Sequence, residues 1–224
     1  EEEPTIFGEL ASFLNRLMTC VTDQDYSFIL ALCVQNNLAR KGALSTIVKH
    51  MQRGNEDAFQ VFFCMVSGNP YVKKEIRQTG LLRDVVNMFK ATQSEATVTA
   101  IAAAITNDDA NRRLVGEMNV FSELAYLVDA KANEVLFFMT MNAIFELASC
   151  EDNVLKMGPV ILPLMRAETT QSKNTLKLLS PALGTDIAEA KAVLYREEAA
   201  RKKAIAEAEE EAARLALARR AATV

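Results

Sequence analysis

Gly80-Leu-Leu-Arg-Asp-Val-Val-Asn-Met-Phe89 places a glycine directly before an amphipathic stretch. The same arrangement returns along the chain at intervals of roughly 40 residues, the period of a helical repeat. Apolar side chains recur three or four residues apart in each copy, which is typical of a helix. A period of this length built from helices alone predicts an α-solenoid, in which each repeat packs on its neighbours. The other copies begin at Gly8, Gly42, Asn119 and Gly158.

A second element of each repeat is an almost wholly apolar helix, which we predict at 58–66, 96–105 and 135–148. A helix that is apolar nearly all round must be buried between neighbours, so we expect these helices at the centre of the stack. Each is preceded by a polar residue that can cap its first turn, followed at once by an acid that suits the helix dipole. The predicted caps are Asn55, Ser94 and Asn133.

A third element is a short helix that begins at a polar residue and ends at the junction glycine or asparagine. We predict it at 69–80 and 107–119, with shorter copies at 150–158 and 36–42. The junction glycines suit a left-handed residue at the end of this helix. From the apolar positions we expect the core shared between repeats to include Phe62, Leu82, Val86, Ile101 and Phe138.

The order of short, medium and long helix resembles the armadillo repeat over about residues 6–185. The resemblance implies an all-α, right-handed superhelix of about four to five repeats that binds other proteins. In importin-alpha and beta-catenin-like members, asparagines on the long helix hold an extended peptide, often with tryptophan one turn earlier. The asparagine places correspond here to Cys64, Ala103 and Glu146, and the tryptophan places to Gln60, Thr99 and Asn142.

The chain has no tryptophan, and no asparagine occupies the three asparagine places. The resemblance therefore does not extend to the way in which those members hold a transport signal. It still implies a protein-binding groove, lined by the six residues at those places.

The composition changes after Thr185. The stretch 186–220 has no glycine or proline and consists mostly of strong helix formers, so we predict a charged, alanine-rich helical arm over 186–224. Its apolar residues are too sparse for a strong coiled coil. We expect Ile187, Leu194 and Leu215 to contact another chain, with a free-standing spacer helix as the alternative.

The overall charge of −4 leaves no basic excess to neutralise phosphates, so we expect no nucleic acid as a partner. No apolar run approaches the roughly 18 residues of a membrane span. The four cysteines are scattered among apolar neighbours, which indicates buried, reduced thiols in a cytoplasmic protein.

No pattern in the sequence indicates a catalytic, cofactor or metal site, so we predict that the chain is not an enzyme. His50 has no acid or serine placed to complete a triad. Asp108, Asp109 and Asn111 lack the glycine and final glutamate of a calcium loop, so helix capping explains them better.

Two basic pairs, Lys73-Lys74 and Arg112-Arg113, occupy equivalent places in successive repeats. A solvated face explains most such pairs, with a basic ridge for an acidic partner as the alternative.

Two functions fit these observations. The first is a non-catalytic scaffold or adaptor, a subunit of a cytoskeletal or ciliary assembly. The alternative is a chaperone cofactor of the armadillo type, which promotes nucleotide exchange on seventy-kilodalton heat-shock proteins or assists myosin folding. Both predict protein partners, and neither identifies the partner or the oligomeric state.

Overall fold

The structure is a computed structural model that describes residues 6–19, 26–130 and 133–221, with side chains except at 17–19, 26–28 and 210–221. Every regular element in these ranges is a helix. None of the described helices is long and apolar enough to cross a membrane. The helices are α1 (Ile6–Thr19), α2 (Tyr26–Arg40), α3 (Ala43–Gln52), α4 (Glu56–Val66), α5 (Pro70–Gln78), α6 (Leu81–Thr92), α7 (Glu95–Ile105), α8 (Asp109–Glu117), α9 (Phe121–Ala130), α10 (Glu134–Ala148), α11 (Glu151–Val154), α12 (Gly158–Ala167) and α13 (Thr170–Ala221).

The helices stack in three rows. The first row is α2, α5, α8 and α11, and the third row is α1, α4, α7, α10 and α13; within each, every helix packs on the next. The second row is α3, α6, α9 and α12, where α3 packs on α6 and α9 on α12. The described residues thus form four repeats of three helices, preceded by α1. This arrangement confirms the predicted all-α solenoid with a long C-terminal helix.

The first helix corrects the predicted start of the repeats. Gly8 lies inside α1 rather than before it, and α1 packs along α4 in the third row. The predicted short helix at 36–42 is also wrong, since most of that stretch is the end of the 15-residue helix α2. Second-row and third-row helices both present an apolar face, so apolar spacing alone could not assign α1 to its row.

The returning glycine is explained by the backbone. Gly42 and Gly80 directly precede α3 and α6, and both have a φ of 80°. Asn119 lies one residue further from its helix, since Val120 separates it from α9, and it has a φ of 54°, which asparagine tolerates better than most residues do. Gly158 differs, because it is the first residue of α12 and has no positive φ.

The predicted caps are confirmed. The side chains of Asn55, Ser94 and Asn133 accept hydrogen bonds from the third residue after each of them, at 3.0, 3.4 and 2.7 Å. Asp108 caps α8 in the same way, accepting from the backbone N–H of Asn111 at 2.8 Å. The capping interpretation of the acids at 108–109 is therefore confirmed for Asp108.

The predicted core is confirmed at four positions and wrong at one. Phe62, Leu82, Val86 and Ile101 are buried, whereas the side chain of Phe138 is 57% exposed. The reason lies in the length of α10, which has 15 residues where α4 and α7 have 11. Four additional residues make about one further turn.

Two buried asparagines show at which end this turn lies. Asn111 Nδ2 donates to the backbone oxygen of Ala104 at 2.9 Å, near the end of α7. Asn153 Nδ2 donates equivalently to Leu147 at 3.3 Å, near the end of α10. Because these bonds align the ends of the two helices, the additional turn lies at the start of α10. In this alignment Phe138 corresponds to Glu95, the exposed first residue of α7, rather than to a core position.

The arm was predicted as a separate helix after Thr185, and α13 consists of two helices joined across a kink close to that residue. Helix α13 has one non-helical residue, Leu183, with φ −115° and ψ 29°. Pro181 and Gly184, both weak helix formers, lie on either side of this kink. Helix α13 packs on α10 and α12, and Gln171, before the kink, bonds to Asn142 of α10.

Candidate functional site

The third-row helices α4, α7 and α10 lie side by side, and their exposed surfaces form a groove. The first recess of this groove, of about 600 Å³, lies between the starts of α4 and α7. The second recess, of about 330 Å³, lies between α7 and the later part of α10 and reaches the end of α4. Phe63 and Thr99 line both recesses, so the two lie next to each other.

The structure brings five of the six predicted groove residues to these recesses. Gln60 lines the first recess together with Thr99. The second recess is lined by Thr99, Ala103, Asn142 and Glu146. Cys64 lines neither: it is buried, and its backbone oxygen accepts a hydrogen bond from Gln35 Nε2 at 2.6 Å. Burial raises the pKa of the Cys64 thiol.

Two polar groups of the groove, those of Asn142 and Glu146, have partners within the chain. Asn142 Oδ1 accepts a hydrogen bond from Gln171 Nε2 of α13 at 2.6 Å. Glu146 Oε2 accepts from two nitrogens of Arg112 on α8, with Nε at 3.1 Å. A polar residue on a buried helix suggests a need for an external hydrogen-bond partner. Asn142 and Glu146 do not need one for these hydrogen bonds, because their partners lie within the chain.

Arg112 is held between two acids. Its burial acts to lower the pKa of the guanidinium, but hydrogen bonds and charge interactions with Glu146 and Asp109 outweigh that effect and raise it. The ion pair with Glu146 joins α8 to α10 and forms part of the wall of the second recess.

Lys73 is a groove residue that sequence reasoning missed. Only 4% of it is exposed, it lines the second recess, and its Nζ donates to the backbone oxygen of Thr106. Burial lowers the pKa of Lys73, opposed by the charges of Asp108 and Glu146.

Each predicted basic pair is thus divided. Lys73 and Arg112 face the stack, while Lys74 and Arg113 are exposed. Lys73 lies three residues before the buried Ile76, and Arg112 lies three residues before the buried Val115. This helical spacing indicates that each basic residue shares the buried face of its helix.

A third recess, of about 640 Å³, lies where the additional turn of α10 meets the segment before α13. Val135, Phe137 and Phe138 of α10 form its apolar wall, opposite Ala167 and Thr169. It was not predicted, because Phe138 was assigned to the core.

The arm residues fall in three different environments. Ile187 is half-buried and packs against the core of its own solenoid, and its contact with another chain stays a prediction. Leu194 is half-buried and lines a recess of about 650 Å³ beside the end of α12. The side chain of Leu215 lies outside the described residues.

Arg166 ties the arm to the solenoid. It pairs with Asp129 of α9 at 3.1 Å and with Glu197 of α13 at 2.6 Å. Hydrogen bonding to Glu197 is the largest of the effects that raise the pKa of Arg166.

The remaining candidate residues carry no arrangement for chemistry. His50 is half-buried, with its ring centroid 4.6 Å from that of Phe7. Cys64 and Cys150 are buried as expected, whereas Cys33 is exposed. Within the described ranges, no group of three or more histidines, cysteines and acids could hold a metal ion.

The arrangement of helices is shared with solved structures. A designed armadillo repeat protein in complex with the peptide (KR)4 aligns with a TM-score of 0.56, over 85% of this chain and 91% of its own. This chain has the armadillo fold. The crystal structure of an engineered protein aligns equally well, at 0.56, over 83% of this chain and 88% of its own.

Sequence identity to these two armadillo-like structures is 19% and 15%, so the likeness concerns the fold. Neither a protein-family model nor a curated protein matches the sequence. The resemblance to armadillo repeats is thus confirmed as a resemblance of fold.

Proposed function

We propose that the chain is a non-catalytic scaffold or adaptor that holds a segment of a protein partner in the groove across α4, α7 and α10. The observation that supports this function is that the first and second recesses lie next to each other on the third row and share Phe63 and Thr99.

The comparison with the designed armadillo protein supports a peptide as the occupant, since that protein is in complex with (KR)4. This chain would hold a peptide by different contacts. Ala103 and Glu146 stand where the resemblance places asparagines, and Glu146 already pairs with Arg112.

Arginine at both Thr99 and Asn142 tests the groove. The long side chains should fill both recesses, so peptides selected from a display library on the folded parent should bind the double variant at least tenfold more weakly, a loss of about 1.4 kcal/mol. Fluorescence anisotropy of the selected peptides measures this loss.

Thr46→Arg with Asn87→Arg is the matched control, because it makes the same changes at exposed positions of α3 and α6. The control should bind like the parent. Equal affinity of all three proteins, each with the helical circular dichroism of the parent, would place the partner elsewhere.

The arm supports the further proposal that the chain is a cytoplasmic subunit of a larger, cytoskeletal or ciliary assembly. The side chains from Tyr195 to Glu209 are exposed, so this stretch gains no burial from the solenoid. An isolated helix of such length is marginal in water. A partner along the arm would therefore supply the stabilisation that the solenoid does not.

Hydrogen exchange of the isolated chain tests this division of the arm. We expect slow exchange of the amides around Ile187 and Ala190, which pack on the solenoid, and exchange within seconds beyond about Arg201. Uniformly slow exchange up to residue 209 would contradict the proposal that the arm awaits a partner.

A second measurement separates a scaffold from a chaperone cofactor. A scaffold should leave the rate of nucleotide release from a seventy-kilodalton heat-shock protein unchanged, whereas a chaperone cofactor should increase it.

A further inference from the structure

The first end of the stack lacks two contacts that the inner helices have. The third-row helices α4, α7 and α10 each pack on the second-row helix that precedes them in the chain, and each first-row helix after α2 packs on the one before it. In the described part of the chain, no second-row helix precedes α1 and no first-row helix precedes α2. One side of each of these two helices is therefore left without the helix that covers it in the other repeats.

Large apolar side chains occupy this end of the stack. Ile6 of α1 is 83% exposed and Ile29 of α2 is 54% exposed, and Phe13 and Leu30 are exposed as well. Ile29 and Leu30 lie on the side of α2 opposite Gln35, whose side-chain amide donates to the backbone of α4. The outer face of a terminal repeat is normally polar, because it meets water. An apolar face at this place therefore indicates a surface on which something stacks.

The charged residues of α1 indicate which partner fits. Ile6, Glu9, Phe13 and Arg16 are three or four residues apart, so they lie along one side of the helix. Glu9 and Arg16 are exposed, carry opposite charges and are about two turns apart. When two copies of α1 pack antiparallel about a two-fold axis midway between these residues, Glu9 of each copy lies opposite Arg16 of the other. The surface is thus complementary to itself in charge.

We propose that the chain forms a symmetric dimer, in which the exposed sides of α1 and α2 pack on the same surface of a second copy. The opposite end of the stack offers less for a head-to-tail contact, since α13 covers α10 and α12 there and its Leu179 and Leu183 are buried. A contact between like ends also closes after two copies, whereas unlike ends would form an open chain.

This inference goes beyond the proposed function and does not rest on it. The apolar residues of the end surface are not among those that line the two recesses of the groove. Each copy in the dimer therefore has its own groove, and peptide binding and dimer formation can be measured separately.

Analytical ultracentrifugation of the full chain measures the dissociation constant of the dimer, which we expect to form at micromolar concentration. Leu30→Glu places a charge in the interface twice and should raise that constant at least about tenfold. The side chain is exposed, so the variant should fold. Leu155→Glu is the matched control, because it makes the same change at an exposed leucine at the end of α11, in the last repeat. The control should dimerise like the parent.

Reversal of the two charges tests the orientation of the copies. Glu9→Arg sets two arginines opposite each other at both ends of the paired helices, and should raise the dissociation constant by about threefold or more. Glu9→Arg together with Arg16→Glu restores opposite charges and should recover the affinity of the parent. Such recovery is specific to an antiparallel contact between two copies of α1.

Cys33 provides an independent measurement of which surface is covered. It is exposed and lies four residues after Ile29, on the same side of α2. Its alkylation by N-ethylmaleimide, followed by mass spectrometry of the peptide that contains it, should slow as the protein concentration rises through the dissociation constant.

A chain that stays monomeric at high micromolar concentration would overturn the inference. A dimer would also overturn it if Leu30→Glu leaves it intact, if Leu155→Glu weakens it equally, if the double charge reversal does not recover the affinity, or if Cys33 reacts equally fast in it. Arginine at both Thr99 and Asn142 should leave the dimer unchanged, so a failure of the groove is distinguishable from a failure of the dimer.

Discussion

Phe62→Ala is expected to lower the free energy of unfolding by about 3–5 kcal/mol, the usual cost of removing a buried phenylalanine ring. Phe62 is buried in α4, which packs on α1, α3 and α7. In a solenoid each repeat is stabilised mainly by its neighbours, so the cavity should also weaken the adjoining repeats. Urea unfolding followed by circular dichroism measures the loss.

Phe138→Ala is the matched control for this variant. The same ring is removed from the same row of helices, but at an exposed position, so the expected change is about 0.5 kcal/mol or less. A comparable loss in both variants would show that the start of α10 is packed into the stack, and that the additional turn lies at its other end.

Gly116→Ala is expected to destabilise the protein although alanine is the better helix former. Gly116 is in α8, and a Cβ there would fall on the side-chain amide of Asn153. Asn153 cannot easily move, because it is buried and its Nδ2 donates to Arg112 at 3.0 Å and to Leu147 at 3.3 Å. The helix preference of alanine contributes roughly 0.5–1 kcal/mol, and overpacking costs about 1–3 kcal/mol. The net effect should therefore be a lower melting temperature.

Gly184→Ala separates the two effects. Gly184 also lies in a helix, but a Cβ there would have nothing within 4 Å. This change should raise the free energy of unfolding by up to about 1 kcal/mol, through helix preference alone. If both alanine variants stabilise the protein, the close approach of Asn153 to Gly116 is not a constraint on the fold.

The repeat could be predicted from the sequence because its signals are local. The left-handed residue before three of the second-row helices is a glycine or an asparagine, and it recurs at a nearly fixed interval. That interval alone indicates Asn119, which has a φ of 54°. The caps Asn55, Ser94 and Asn133 are equally local, since each bonds to a backbone N–H three residues later.

Features that depend on the relative position of helices could not be predicted in this way. Phe138 and Phe62 occupy similar apolar surroundings in the sequence, and only the alignment of α10 with α7 shows that one ring is exposed. Asn142 and Glu146 line the second recess, and their partners Gln171 and Arg112 come from other helices. No sequence interval indicates those pairs.

The part of α13 beyond the kink at Leu183 is a long arm. At about 1.5 Å per residue, the helix from Leu183 to Ala221 is roughly 55 Å long, several times the width of any recess in the groove. The shorter part of α13, before Leu183, is the third-row helix of the last repeat. Its Gln171 donates a hydrogen bond to Asn142. A sideways force on the arm therefore reaches Gln171 and the groove only through the kink at Leu183, while Arg166, which pairs with Glu197 and Asp129, links the arm to α12 and α9.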